Sequence, residues 1–378
     1  MDLTEARNKI DAIDDKIAAL YSERMDLCRE IGKEKARLGK NTDVPEREKE
    51  IVNRLAEKLP DDRKVFLKQL YGTVFTTSKA YQNQFIGKHS RVAEEVRQAS
   101  EKQQKPPVSA SVACQGAAGA YSGIAAEKAF DLTSVSYFKT FDAVFNAVEK
   151  GLCRYGVLPI ENSNTGSILP VYDLMQKYRF SIVKSVRVQI KHALVAKPGA
   201  DISKIKTVLS HEQGILQCAN FVKSIGAEAK IVENTAVAAR TVAESDDETV
   251  AAIASEESAK VYGLSVLRSN VQDNGNNYTR FIVISKTLEI FKGADRISVM
   301  LSAEHTPGSL SRVLDRFAAL NLNVTKIESR PIVNSDFEFL FYFDFEGDVT
   351  DESVLSLISD LDLATERFVF LGAYRETV

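Results

Sequence analysis

A chain of 378 residues is longer than one hydrophobic core usually organises, so about two or three domains are expected. With 44% hydrophobic and 27% charged residues, the composition excludes a disordered or fibrous protein. A net charge of -3 without a long basic run gives no electrostatic footprint for nucleic acid or an anionic membrane, although local cationic pockets stay open. Cys28, Cys114, Cys153 and Cys218 are far apart, with no CxxC pair and no His at zinc-ligand spacing, a pattern that fits a reduced cytoplasm and no structural metal. The amphipathic N-terminus lacks a signal-peptide apolar stretch, and nothing downstream reaches the roughly 18 apolar residues of a membrane span, so a cytoplasmic location is expected.

In chain order, Ala6, Ile10, Ile13, Ile17, Leu20, Leu27 and Ile31 alternate at spacings of three and four, which predicts one long helix over most of the first forty residues. A second helix should open at Pro45, with Glu46 and Glu48 in its first turn. A third begins near Asp61 and runs past Tyr81 towards "EEVRQASEKQQKPP", whose end at Pro106 and Pro107 reads as a helix end and linker over 91–107. Residues 1–90 are thus all-α. From residue 108 to 286, runs such as "YGVLPI", "FSIVKSV" and "RFIVIS" alternate with helical stretches, predicting an α/β region with largely parallel sheets, as one domain or two lobes with a cleft between them. Residues 295–378 read strand, helix, strand, strand, helix, strand, the α+β ferredoxin-like (βαββαβ) plan.

Several polar residues sit where this pattern does not ask for them. Arg24 occupies the apolar seam of the first helix, and Lys35, about three turns on, shares its face. Such a cation within a helical core must be paired with an acid or await an anion. Arg7 is roughly 25 Å along the axis and about 100° round from Arg24, so a ligand role for it requires another site, most simply in a symmetry-related subunit. Ser78 and Gln82, at i and i+4, share one face of the third helix. In the middle region, "QGAAGAYSG" joins a strand to a helix near Tyr121 and lacks both GxGxxG and GK[ST], which disfavours nicotinamide and nucleotide cofactors. "LPIENSNTGS" ends a strand in Glu161, Asn162 and Ser163, "SHEQGILQC" carries Gln213 and Gln217, and "VENTA" carries Glu233 and a capping Thr235. "NNYTRF" sets Thr279 beside Arg280 at a strand entrance. Near the C-terminus, "HTPGSLSRVL" places Pro307, Gly308 and Ser309 at a helix start, and "ESRPI" lies on the next strand. Taken singly, such groups have a structural alternative in helix caps, turns and an edge strand, but caps do not account for their recurrence at several strand–helix junctions.

Across the first ninety residues, "EARNKIDAIDDKIAALYSER", "IGKEK", "PERE" and "SKAYQ" resemble the all-helical chorismate mutases. The resemblance implies that Arg7, from across a dimer, and Arg24 bind the carboxylates of chorismate. Lys35 and Gln82 would then bond the ether oxygen and Glu48 the ring hydroxyl, with Arg47 and Ser78 completing the pocket. A Claisen rearrangement needs no nucleophile and no cofactor; the site holds a dianion in its compact conformer and stabilises charge growing on the ether oxygen. "PIENS", "SHEQ", "VYGL" and "TRF", in that order, resemble prephenate dehydratase over 108–286, a two-lobed, periplasmic-binding-protein-like fold. That resemblance implies Thr279 as proton donor, with Asn162, Arg280 and backbone N–H groups holding carboxylates and with Ser122, Glu161, Ser163, Gln217 and Glu233 in the site. The last domain is similar to ACT domains fused to prephenate dehydratases. It implies phenylalanine bound between paired domains, lined by Gly308, Ser309, Leu310, Glu328, Ser329, Arg330 and Pro331.

The expectation is a bifunctional enzyme of phenylalanine biosynthesis, a homo-oligomer of two or more chains, taking chorismate through prephenate to phenylpyruvate under feedback by phenylalanine. A non-enzymatic metabolite sensor on the same folds, or a mutase fused to another prephenate-processing enzyme, are the alternatives.

Overall fold

The computed structural model describes every residue except 1, 41, 43, 87–89, 103, 307 and 333–337; the expected contribution of Pro307 lies outside the described residues. The chain forms two compact units, Met1–Glu101 with Val299–Phe370, and Lys102–Ser298 with Leu371–Val378.

In the first unit, helix α1 (Leu3–Leu38) starts under Asp2, whose carboxylate accepts from the Glu5 N–H, and stops at Gly39 with φ 66°. Helices α2 (Pro45–Ala56) and α3 (Asp61–Ile86) follow. The packing face of α1 is not its apolar seam. Tyr21, Met25, Cys28 and Gly32, at helical spacing, meet α3: the Tyr21 hydroxyl donates to Thr77 Oγ1 at 2.8 Å, and a Cβ on Gly32 would stand 2.9 Å from the Gln82 carbonyl oxygen. Leu3, Ile10, Ile13, Ile17, Leu20, Leu27 and Ile31 instead face outward, each 46–76% exposed. In the single chain the seam is therefore a surface, and Arg24, half-buried, reaches Ser78 of α3 from beside it.

The third helix also departs from expectation, because α3 ends at Ile86 and a separate helix, α4 (Arg91–Glu101), begins where a helix end and linker were expected. Ala93, Val96 and Ala99 of α4 are buried, and it packs on the helix Glu352–Ala364 through Ser90 N–H to Ser359 Oγ (2.7 Å) and the Arg97–Glu352 ion pair (2.7 Å). That helix belongs to the βαββαβ segment. Its four-stranded sheet runs Val324–Pro331, Phe339–Glu346, Arg296–Ser302, Phe368–Tyr374, leaving Val324–Pro331 on an edge. Asp360 accepts from Asn83 of α3 (2.9 Å) and pairs with Arg316 (2.8 Å), joining the helices of the mutase-like and ACT-like segments through one carboxylate.

The second unit holds two sheets. One runs Glu376–Thr377, Ser181–Gln189, Tyr278–Ser285, Tyr155–Asn162, Ser109–Gln115, Leu132–Phe138, with Gly166–Ser167 beside Tyr155–Asn162. The other runs Ser265–Arg268, Ala193–Ala196, Val250–Ala254, Thr207–Ser210, Glu228–Ile231. Both are mixed rather than largely parallel: Tyr278–Ser285 is antiparallel to both neighbours, and so is Ala193–Ala196. The cause is the path of the chain, which leaves the first lobe after Gln189 and returns at Tyr278, so the returning strand enters the sheet reversed. The two crossings bond to each other through Ile190 N–H to Asn277 O (2.7 Å) and Val271 N–H to His192 O (2.9 Å). Residues Leu371–Val378, expected with the last domain, lie in this unit, where Gly372 at φ 151° leaves no room for a Cβ, which would fall 2.0 Å from Ile182 O.

Candidate active sites

In the helical segment, α1, α2 and α3 carry the expected cations. Arg24 is half-buried; it donates to Ser78 Oγ and, at 3.7 Å, to Cys28 Sγ, and its guanidinium lies 6.0 Å from the Phe75 ring centroid. All these partners are uncharged. The Lys35 ammonium donates to the Thr42 carbonyl at 3.1 Å. Ser78 and Gln82 are buried, and Gln82 Oε1 has no hydrogen-bond partner. Which end of an amide is oxygen is set by its partners, so this end of Gln82 is free to be either donor or acceptor. A buried orphan of this kind costs about 1–3 kcal/mol unless a ligand satisfies it. Glu48 is paired with Lys79 at 3.0 Å, Arg47 with Glu50 at 2.7 Å on the surface, and Arg7 is exposed on α1.

In the second unit, a cavity of about 440 Å³ opens between the lobes, and Ser122, Asn162, Gln217, Glu233 and Thr279 all line it. Strand alternation decides the rest. Thr279 and Phe281 face the cavity, whereas Arg280 does not line it and pairs across the strands with Glu161 at 3.4 Å. Arg280 and Glu161, both expected in the site, thus meet each other beside the cavity and are not among its lining residues. Ser163 does not line the cavity; its hydroxyl donates to Asn276 O (3.1 Å) and accepts from Tyr278 N–H (3.0 Å). Ser122 Oγ donates to Gln115 O at 2.6 Å, tying strand to helix. The cap of the helix Thr235–Glu244 is Asn234, not Thr235. No Lys or Arg is among the lining residues, but the first residues of three helices are: Tyr121, Phe141 and Thr235. Helix N-termini supply N–H groups and positive potential, the features that suit an anion where no guanidinium lines the cavity.

Hydrogen-bond polarity is fixed along one chain of side chains in this cavity. Asn162 Oδ1 accepts from the backbone N–H groups of Asn164 (3.0 Å) and Thr165 (3.1 Å), so its other end is the amide nitrogen. That nitrogen donates to Asn277 Oδ1 (2.8 Å) and to Thr279 Oγ1 (2.9 Å). Thr279 therefore accepts from Asn162, and its own O–H is left to donate. Asn277 in turn donates to Gln217 Oε1 at 3.0 Å, and His192 Nε2 lies 2.9 Å from the same oxygen. Sequence reading missed Asn277 and His192: the first lies in the quoted "NNYTRF" two residues before Thr279, and the second is an isolated His with no local motif.

In the last domain, Gly308 at φ 80° caps the helix Ser309–Ala319. A cavity of about 360 Å³ there is lined by Ser309 with Glu304, His305, Thr306, Glu338, Phe339 and Phe341; of the seven residues expected around phenylalanine, only Ser309 is among them. Glu328, Ser329, Arg330 and Pro331 lie on the edge strand.

Family models match three consecutive stretches: chorismate mutase type II over residues 6–83, prephenate dehydratase over 112–289 and the ACT domain over 297–362. The chain is 30% identical over 383 residues to the bifunctional chorismate mutase/prephenate dehydratase of Escherichia coli K12, covering 98% of this chain and 96% of that one. It is 38% identical over 275 residues to arogenate dehydratase/prephenate dehydratase 2 of Arabidopsis thaliana, covering 70% and 72% of the two chains. A solved prephenate dehydratase from Arthrobacter aurescens in complex with L-Phe matches with a TM-score of 0.64 at 29% identity, over 70% of this chain and 89% of that one.

Proposed function

Because the chain belongs to the bifunctional chorismate mutase/prephenate dehydratase family, we propose how its own residues divide the two reactions. The helical segment rearranges chorismate to prephenate. Arg24, whose partners are all neutral, holds a substrate carboxylate, while Lys35 and the unpartnered end of Gln82 meet the ether oxygen, where charge grows as the bond to carbon breaks. The exposed apolar seam of α1 pairs with the same seam of a second chain, which brings the partner's α1 and its arginine to this pocket.

The cavity between the lobes turns prephenate into phenylpyruvate. The C–CO2 bond breaks, its electron pair enters the ring as the ring aromatises, and the ring C–O bond breaks, the oxygen leaving as water with a proton from Thr279 O–H. Thr279 recovers that proton from solvent, so one proton is consumed per turnover. The observation that carries this reading is the fixed donor polarity Asn162 to Thr279 inside the cavity, which leaves the threonine proton for the departing oxygen. Phenylalanine, the ligand of the Arthrobacter aurescens protein, binds at the ACT segment and lowers dehydratase flux, favouring one arrangement of the assembly.

Purified protein given chorismate alone, with prephenate and phenylpyruvate followed with and without phenylalanine, tests the whole reading: both products should form in sequence, and phenylalanine should slow the second. Arogenate, the substrate in the name of the Arabidopsis relative, is run alongside. Failure to decarboxylate and dehydrate either acid, prephenate to phenylpyruvate or arogenate to the corresponding amino acid phenylalanine, refutes the assignment of the cavity.

A further inference from the structure

His192 stands on the first crossing between the lobes, held at both backbone groups: its N–H donates to Gln272 Oε1 (2.9 Å) and its carbonyl accepts from Val271 (2.9 Å). Its ring is buried at 3% exposure, edge-on to Tyr121 at 6.1 Å between centroids, and it lines the cavity while taking no part in the proton transfer from Thr279. The polarity set by Asn162 reaches it. Gln217 Oε1 already accepts from Asn277, so it is an oxygen, and His192 Nε2 at 2.9 Å must carry the proton. His192 Nδ1 is buried without a hydrogen-bond partner, as suits a bare ring nitrogen and not a buried N–H. Two donors thereby occupy the Gln217 carbonyl, and the end left for a ligand is its NH2.

We propose that His192, as the neutral Nε2–H tautomer, is a positioning residue of the dehydratase: it locks the Gln217 amide so that an NH2, not a carbonyl oxygen, meets the anionic substrate. This rests on the assignment of the cavity as the dehydratase site. Without the histidine proton, Asn277 alone holds the amide, and the flipped rotamer presents an oxygen to a dianion. Burial acts in the same sense, lowering the imidazole below its ordinary value despite the hydrogen bond to Gln217.

The test compares His192→Leu, which keeps bulk but no donor, with His192→Gln, which returns an N–H donor, each alone and with Gln217→Leu. The expected result is a fall in prephenate kcat/KM of about tenfold to a hundredfold for Leu, carried mainly by KM, recovered largely by Gln, and absent when Gln217 is already Leu. An undiminished rate in His192→Leu, a loss of the same size in the Gln217→Leu background, or no recovery in His192→Gln overturns the proposal. Should the Leu variant not fold, the unmutated enzyme answers: with only four histidines, ring 15N shifts assign the His192 tautomer, and Nδ1–H would overturn it. Thr279→Ala measured in parallel separates the two levels. If it retains dehydration, the cavity assignment fails; if it abolishes dehydration while His192→Leu does not, only the role of His192 fails.

Discussion

Replacing Thr279 by Val removes one hydroxyl and almost nothing else. The side chain is 7% exposed at the start of the strand Tyr278–Ser285, and valine keeps its branch at Cβ, its strand preference and nearly its volume. The hydroxyl accepts from Asn162 Nδ2, which also donates to Asn277 Oδ1 at 2.8 Å and faces Tyr278 O at 3.2 Å, so no buried donor is stranded. The stability cost should therefore be about 1 kcal/mol, the net worth of one hydrogen bond. The catalytic cost is of another order. Removing a positioned proton donor slows a reaction by about 10²–10⁴-fold, or roughly 3–5 kcal/mol of barrier. Phenylpyruvate formation from saturating prephenate should drop by that factor, chorismate consumption should not change, and Thr279→Ser should restore much of the rate. A valine variant within tenfold of the parent, with an unaltered melting curve, refutes the proton-donor argument.

Gly32→Ala should depress the mutase and spare the dehydratase, since its methyl meets the Gln82 backbone oxygen at 2.9 Å and forces α1 away from α3; overpacking of this kind costs about 1–3 kcal/mol, measurable by urea unfolding. Asp360→Ala leaves Arg316 and Asn83 without their shared acceptor in a contact where both charged side chains are 16% exposed, and should cost about 2–3 kcal/mol of the first unit's stability, with Asp360→Asn costing less. Ile17→Lys on the exposed seam of α1 should shift the chain to a smaller species in sedimentation and lower mutase activity with it, whereas an unchanged assembly would contradict the pairing of the two seams. Burial depresses the His192 imidazole, so the unfolded chain takes up its proton first as pH falls. This group's contribution is complete above the ordinary histidine value of about 6.5 and lost below it, by at most about 1.4 kcal/mol per pH unit, down to the folded value; unfolding midpoints from pH 7.5 to 5 should fall, and less so in His192→Gln.

Much of this protein is legible in its amino-acid order. Spacing predicts α1, runs of apolar residues mark the βαββαβ order, and the quoted motifs carry Thr279, Asn162 and Gln217 to one pocket. Strand periodicity, applied to "TRF", also separates Arg280 from Thr279, because neighbours on a strand face opposite ways. What local pattern does not supply is partnership at a distance. Asn162, Asn277, Thr279, Gln217 and His192 meet across separations of 25 to 117 residues, and no periodicity encodes which amide will face which. The apolar seam of α1 shows the same division: composition dictates that the stripe exist, while packing of Tyr21, Cys28 and Gly32 against α3 decides that it point outward. Local dihedral preference and burial periodicity act over a few residues and are written in the chain; donor polarity and the free face of a helix arise only when the elements close on one another, and the tertiary structure alone decides them.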